Sequence, residues 1–477
     1  MNRSSVPLLL IVVTDSLRPD CIHPDDMPFL ASLRAEGTTF VNAYSVVPSL
    51  TRPNAASLVT GVLPGKHGIV GNQFMTADGG FVHSGYAHEL EHLLTANGGL
   101  YGRPTMPELF ARAGRRSVIV STMSSGGTAI LDPGVGRNGV QTIGLRRTGG
   151  ERLIPDVPAD LRSHLGPPPA NPDDDRLEAI GYSSKLVQTL LEREPHVDLL
   201  LWWITEPDHT QHEHGSGSPE FRRVLRGVDA HVSAVVDAAS RRRPVRVLHT
   251  ADHGASALAG TADPTQAFAA AFGDEASIIA ESPAAVTIRA GSDIRPRALA
   301  DWLEAQPWAG ARFVADRHLS ESDAWARWLP LSVLGCVHPD RPIDMLVFPQ
   351  WTTAVNAFGI SGATAATGLK KHSSHGSLNP VDMRIPLTLW GDGIAARTVH
   401  DPAGIVDVAP TALSLAGLEI PEWFDGRPLF DESGRWIPTE TPTAVNLLTS
   451  SDPDAPTSIE SVLCGGTRYV REGWSHG

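Results

Sequence analysis

Acidic and imidazole side chains cluster where the apolar runs of this chain stop. The run Leu8-Thr14 is followed at once by Asp15, Val197-Thr205 by Glu206-Pro207-Asp208 with His212 four residues on, and Val245-Thr250 by Asp252-His253. A fourth cluster, His372-Ser373-Ser374-His375-Gly376, precedes the run Ile385-Trp390. Aspartate oxygens mixed with imidazole nitrogens suit zinc or a related first-row divalent cation. Six such donors exceed one tetrahedral site. They suit two cations about 3.5–4 Å apart, a spacing that clamps the attacking and leaving oxygens of an in-line phosphoryl displacement. Taken singly, each cluster is ordinary: Asp15 as a turn or helix cap, Asp252-His253 as loop hydrogen bonding, Asp208 and His212 as a cap and a surface histidine. Their joint placement carries the reading.

A metal pair that hydrolyses phosphoesters also needs a nucleophile. Thr51, followed by Arg52 and Pro53, reads as a threonine capping a helix whose first turn contains proline. The same geometry puts free backbone N–H groups and the positive dipole end where a phosphate anion binds. A threonine hydroxyl is a poor nucleophile near neutral pH until a metal lowers its pKa, so Thr51 and the cations explain each other. Downstream, His67-Gly68-Ile69-Val70-Gly71 leads to Asn72, whose amide can donate to a non-bridging phosphoryl oxygen.

These residues need a scaffold that brings distant strand ends together. The runs Leu8-Thr14, Ser117-Ser121, Val197-Thr205 and Val245-Thr250 have the continuous apolarity of strands buried on both faces of a parallel sheet. Helical stretches separate them. Met27-Glu36 has helical spacing of Phe29, Leu30 and Leu33, Thr105-Gly114 has a threonine cap and Glu108, and Ser218-Pro219 opens a long helix through Arg241. The alternation predicts an α/β fold with a doubly wound, mostly parallel sheet and helices on both faces, and ligands gather beyond the carboxyl ends of such strands. Between 255 and 365 the grain changes to Ala/Gly/Pro-rich connections around a small strand-helix-strand unit (Ala285-Arg289, Arg295-Glu304, Arg312-Ala315). That stretch is expected to be an inserted cap, with 1–254 and 366–477 forming the core. The tail after about Leu447 reads as loop.

At 477 residues the chain holds about three average domains, or one large domain with an insertion. Its net charge of -14 disfavours nucleic-acid duplexes and anionic membranes as partners. The three cysteines, Cys21, Cys336 and Cys464, lie far apart without metal-site spacing, which points to a reducing, cytoplasmic setting. The N-terminal run Val6 to Val13 is too short for a membrane span and runs straight into Thr14-Asp15, so it reads as a buried strand rather than a leader. The oligomeric state is not legible.

The ordered set of Asp15, Thr51 within Pro48-to-Gly61, Asn72, Asp208 with His212, Asp252 with His253, and His375 resembles the alkaline phosphatase superfamily. Within it, the likeness is to the nucleotide pyrophosphatase/phosphodiesterase branch and to the related phosphonoacetate hydrolases. Val406-to-Leu413 together with Asp425-Gly426-Arg427-Pro428-Leu429 resembles a closing motif widespread there. The resemblance implies that Asp208, His212 and His375 hold one zinc ion, and that Asp15, Asp252, His253 and the Thr51 oxygen hold a second. It also implies that Thr51 forms a covalent phosphoryl-enzyme while its amide and Asn72 bind the transferred group. His209, His214, His249 and His372 match no ligand position and read as solvated or supporting imidazoles.

Two departures bear on substrate. Phosphonoacetate hydrolases carry a lysine just after the strand equivalent to Ser117-Ser121, where this chain has Thr122-Met123-Ser124-Ser125; a carboxylate clamp must then come from arginine or from Lys370 or Lys371. Nucleotide pyrophosphatases usually carry an aromatic residue after the nucleophile, where this chain has Arg52. Arg52 reads as an exposed helix-start arginine, or as a ligand for a second phosphoryl oxygen that favours monoesters. The expected function is a two-metal phosphodiesterase acting on a small phosphorylated substrate, with a phosphonate C–P hydrolase and an inactive metal- or phosphate-binding module as alternatives.

Overall fold

The computed structural model describes residues 6–95, 99–145, 155–169, 176–319, 325–367, 371–440 and 443–475. Its centre is an eight-stranded sheet in the spatial order Arg397–Val399, Thr38–Phe40, Leu387–Gly391, Val245–Thr250, Leu8–Thr14, Val197–Ile204, Arg116–Ser121, Val140–Gly144. The five strands from Val245–Thr250 to Val140–Gly144 run parallel. Every residue of Leu8–Thr14 is buried, as its unbroken apolarity requires. One strand breaks the pattern: Leu387–Gly391 is antiparallel to both its neighbours. The residues that precede it therefore stand at the same edge as those that follow the parallel strands.

Helices pack in two groups, one on each face. Pro219–Ser240 touches both Pro28–Glu36 and Arg176–Arg193, while Thr51–Thr60, Met106–Arg112, Ser125–Leu131 and Val408–Leu415 form the other set. Their starts follow from sequence. Ser218 Oγ accepts the Phe221 N–H ahead of Pro219, and Thr105 and Glu108 form a capping box.

Residues 255–365 build a five-stranded sheet (Ala276–Ala280, Ala284–Ile288, Met345–Pro349, Ala309–Val314, Leu329–Pro330) with the helices Thr265–Phe272 and Pro296–Glu304. Phe268, Leu299, Leu303, Trp308, Trp325 and Trp328 give it an apolar core of its own. A further sheet ties it back, since Ser256–Ala262 pairs with both Ser361–Thr367 and Ser373–Ser374.

The tail is not loop. Ala444–Thr449, Thr457–Cys464 and Thr467–Ser475 form a three-stranded antiparallel sheet whose second turn is Gly465-Gly466, both at positive φ. The Gly-Gly pair is a two-residue hairpin signal that a hydrophobicity reading passes over, because Ala444–Thr449 is exposed along its whole length. Ile459 and Val470 of this sheet pack with Phe313 and Phe348 of the 255–365 segment.

Among the described residues, no helix is long and apolar enough to cross a membrane. All three cysteines are buried and unpaired.

Candidate metal centre and nucleophile

The parallel strands deliver their terminal residues to one edge. Asp15 follows Leu8–Thr14, Asp252 and His253 follow Val245–Thr250, and Asp208 and His212 lie on the short helix Asp208–His214 beyond Val197–Ile204. His375 arrives from the other direction, just after Ser373–Ser374 and ahead of the antiparallel strand. The structure brings all six together. His212 Nε2 lies 3.2 Å from Asp208 Oδ1 and His375 Nε2 lies 3.5 Å from the same oxygen. His253 Nε2 lies 3.2 Å from Asp252 Oδ2 and 3.8 Å from Asp15 Oδ1. Donor atoms close enough to share one cation form two groups among the described residues, Asp208-His212-His375 and Asp15-Asp208-His253, with Asp208 common to both.

The fit to a divalent cation rests on what these atoms lack. Asp15 Oδ1, Asp208 Oδ1 and Asp252 Oδ2 are buried with no hydrogen-bond partner, one oxygen from each carboxylate. Two of the other oxygens are occupied: Asp15 Oδ2 accepts the Trp203 indole N–H at 3.2 Å, and Asp252 Oδ1 accepts the Ser16 and His253 amides at 2.9 and 3.0 Å. Buried carboxylate oxygens are not left unpaired without reason.

The imidazoles are prepared in the same way. His212 Nδ1 meets the Ser373 carbonyl at 2.7 Å, His253 Nδ1 the Gly254 carbonyl at 2.9 Å, and His375 Nδ1 the Ser49 carbonyl at 3.2 Å. A carbonyl only accepts, so each Nδ1 carries a proton, and it is the Nε2 atom of each ring that is turned to the centre, where its lone pair serves a cation once any proton there is displaced.

Electrostatics show how crowded the cluster is. Burial, then the charges of Asp252 and Asp208, hold the Asp15 carboxyl well above the usual carboxylate range. Burial opposes the charge of Asp208, but His212 and His375 outweigh it and hold that carboxyl well below its usual range. Burial also works against protonated His253, yet Asp252 and Asp15 overcome it and push the imidazole up to about 10. Its stacked neighbour His375, with ring centroids 3.8 Å apart, is held well below the ordinary histidine value by burial and by the His253 charge. Without a cation, the cluster limits its negative charge by retaining protons, as on His253.

Thr51 is the first residue of the helix Thr51–Thr60 rather than its side-chain cap. Leu50 occupies the cap position and no side chain caps the helix. The Thr51 hydroxyl is thereby free of capping and lies 3.1 Å from His253 Nε2, inside the cluster. Asn72 Oδ1 accepts the Arg52 amide at 3.2 Å, which leaves the Asn72 NH2 group as the donor beside Thr51. Arg52 is half-buried, not exposed: its Nη2 reaches Ser124 Oγ at 3.1 Å.

Of the extra histidines, His249 is fully buried in the sheet with its Nε2 3.0 Å from Thr14 Oγ1. His372 is exposed and His214 partly so. Lys370 lies outside the described residues, and Lys371 is exposed. The closing motif braces the C-terminal end of the helix Thr51–Thr60. The amides of Asp425 and Gly426 both donate to the Gly61 carbonyl, and Asp425 Oδ2 accepts the Leu63 amide. The supporting contacts of Trp203, Ser49 and Ser373 escaped the sequence reading, since indoles and backbone carbonyls leave no signature in residue order.

A mostly parallel sheet with an Asp/His cluster and a helix-borne threonine at its carboxyl edge defines an alkaline phosphatase-like α/β protein. A model of the family "Type I phosphodiesterase / nucleotide pyrophosphatase" matches residues 9–303, and the chain belongs to that family. Murine ectonucleotide pyrophosphatase/phosphodiesterase 5 shares the fold with a TM-score of 0.61 at 16% identity, over 87% of this chain and 96% of that one. The phosphonoacetate hydrolase of Sinorhizobium meliloti 1021, bound to phosphonoformate, also gives 0.61, at 19% identity over 86% and 95%. By sequence, the bis(5'-adenosyl)-triphosphatase enpp4 of Mus musculus is 39% identical over 69 residues, which is 14% of this chain and 15% of that protein. The Xenopus laevis protein of the same name is 37% identical over 77 residues, 16% and 17% respectively. The matched stretch thus spans only about a sixth of either of these relatives' length.

Proposed function

We propose that the chain is a two-metal phosphoester hydrolase of the diesterase kind, acting through a phosphoryl-threonine on Thr51. The observation that carries this reading is the set of three partnerless buried carboxylate oxygens and three Nε2 atoms around a threonine hydroxyl 3.1 Å from one of them. In this reading Asp208, His212 and His375 hold one zinc ion, and Asp15, Asp252, His253 and Thr51 hold the other. When bound, such a pair supplies Lewis acidity, lowering the pKa of a hydroxyl and offsetting charge on phosphoryl oxygens.

The chain's own residues do the rest. The Thr51 hydroxyl gives its proton to solvent and its oxygen attacks phosphorus, forming a new O–P bond as the bond to the leaving oxygen breaks in line. The Asn72 NH2 group donates to a non-bridging oxygen as charge grows there, and the Arg52 amide holds Asn72 in that orientation. Water then displaces the threonine oxygen and releases phosphate or a phosphomonoester. Small phosphorylated molecules are the substrates in this reading, and a cytoplasmic setting accords with three unpaired cysteines.

The likeness to a phosphonoacetate hydrolase supports a second reading, cleavage of a C–P bond by the same residues. A parallel assay of an aryl phosphodiester, an aryl phosphomonoester and phosphonoacetate decides. The diester is expected to give the highest kcat/KM, whereas a tenfold lead for phosphonoacetate, about 1.4 kcal/mol in the barrier, overturns the first reading. A folded protein that binds no metal and turns over none of the three is a binding module instead.

A further inference from the structure

The strand ends form a row along the sheet edge. Asp252 and His253, Asp15, and Asp208 follow three adjacent strands, and the next strand, Arg116–Ser121, leads into Thr122 and Ser124. Thr122 Oγ1 lies 3.0 Å from Thr205 Oγ1, so this loop is stitched to the one that carries Asp208. Ser124 has no role in the reading above. Its hydroxyl is nonetheless buried and does two things: it accepts the Gly127 amide at 3.4 Å as the cap of Ser125–Leu131, and it lies 3.1 Å from Arg52 Nη2.

Arg52 is thus anchored at both ends. Its amide is on Asn72 Oδ1, at the end of the site that takes the transferred group, and its guanidinium is held one strand further out. The anchor is a neutral hydroxyl that fixes the orientation of the fork. His83 lies on the same side: a Cβ on Gly85 would stand 2.9 Å from the His83 ring and 3.4 Å from Arg52 Nη2. Burial, then the Arg52 charge, lower the His83 imidazole from its ordinary value, against the opposing charge of Glu89. Among the described residues two carboxyls stand near: Glu89, whose Oε2 accepts the His83 amide, and Glu281 of the 255–365 segment, which burial pushes up to about 7 against the charges of Arg52 and Lys371. A positive, pre-oriented fork one strand out from the end that takes the transferred group is a recognition element for an oxyanion.

We propose that Arg52, held by Ser124, is a specificity-determining residue that receives a second anionic group of the substrate, a phosphoryl or carboxylate oxygen on the side remote from the group transferred to Thr51. The inference rests on the hydrolase reading for its substrate. It selects, among phosphoesters, those whose leaving portion carries negative charge.

The test uses the full-length, zinc-loaded chain and calorimetric binding of three probes: orthophosphate, pyrophosphate and phosphonoacetate. R52Q is expected to weaken pyrophosphate at least tenfold while changing orthophosphate less than threefold. R52K should fall between R52Q and wild type, because it keeps the charge and loses the fork. S124A removes only the anchoring hydroxyl, is expected to shift pyrophosphate in the same direction by a smaller factor, and serves if an arginine variant does not fold. A matching loss for phosphonoacetate shows that a carboxylate occupies the subsite too, and a loss confined to pyrophosphate restricts it to a phosphoryl group. Equal weakening of orthophosphate and pyrophosphate, or no weakening of either, overturns the assignment. Because the readout is binding, absence of turnover sinks the hydrolase reading without deciding this one.

Discussion

The Thr51 hydroxyl oxygen and the Nε2 atom of His253 are 3.1 Å apart although 202 residues separate them in the chain. The pair joins a helix start to the end of Val245–Thr250, and neither residue spends these atoms on local structure. The Thr51 hydroxyl caps nothing, and the His253 ring is held through its other nitrogen.

T51A is expected to lower kcat by at least about 10³-fold with an unchanged fold, since loss of a nucleophile removes the covalent route as a whole. T51S should keep part of the activity. Steady-state kinetics with circular dichroism on each variant check this, and a T51A protein within tenfold of wild type excludes Thr51 as nucleophile.

Metal uptake should release protons. In the cation-free cluster His253 is pushed up to about 10, so between pH 7 and 9 a cation must displace its proton. Asp208 and His375 are shifted down, already carry no proton in that range and release none. Apparent zinc affinity is therefore expected to rise with pH by about one decade per unit there and to collapse on acidification, taking activity with it. Calorimetry in buffers of different ionisation enthalpy should count about one proton released as the site held by His253 fills; a pH-independent affinity contradicts the ligand set.

W203F should weaken zinc binding by about 10–100-fold while barely affecting the fold, because the indole N–H that orients Asp15 Oδ2 is lost and the buried ring volume is largely kept. Competition with a chelator of known affinity gives the number. Affinity equal to wild type means that Asp15 needs no such support.

At Gly376 the backbone has φ +95, and a Cβ would stand 1.8 Å from the Ser282 carbonyl oxygen. G376A is expected to cost about 1–3 kcal/mol in strain alone and to shift the neighbouring His375. Loss of zinc from the His375 group with a lowered melting temperature is the outcome to look for. Full activity and stability would show that the segment moves freely.

Much of the site was legible because charge ends the buried strands. Asp15, Asp208 and Asp252 each interrupt an apolar run, and an interruption in an unbroken pattern is the strongest local signal a sequence offers. His375 had no such frame, since its strand runs antiparallel and the residue precedes it, so only its place in an ordered set marked it. The conformation of Thr51 was misread because Thr before Pro has two outcomes, cap or first helical residue, and the choice depends on what the hydroxyl meets across the fold. The C-terminal sheet was missed for a related reason: its first strand is exposed, and its partners are set by contacts with residues such as Phe313 and Phe348 far upstream.

Because Ser373–Ser374 pairs with Ser256–Ala262 on the way to His375, biosynthesis completes this pocket late. A ribosome-bound chain that has emerged only through Asp252 and His253 presents three clustered carboxylates to their mutual repulsion with one imidazole of the final trio still unmade. A ligand set that includes His375 is therefore assembled only after the segment carrying it has docked.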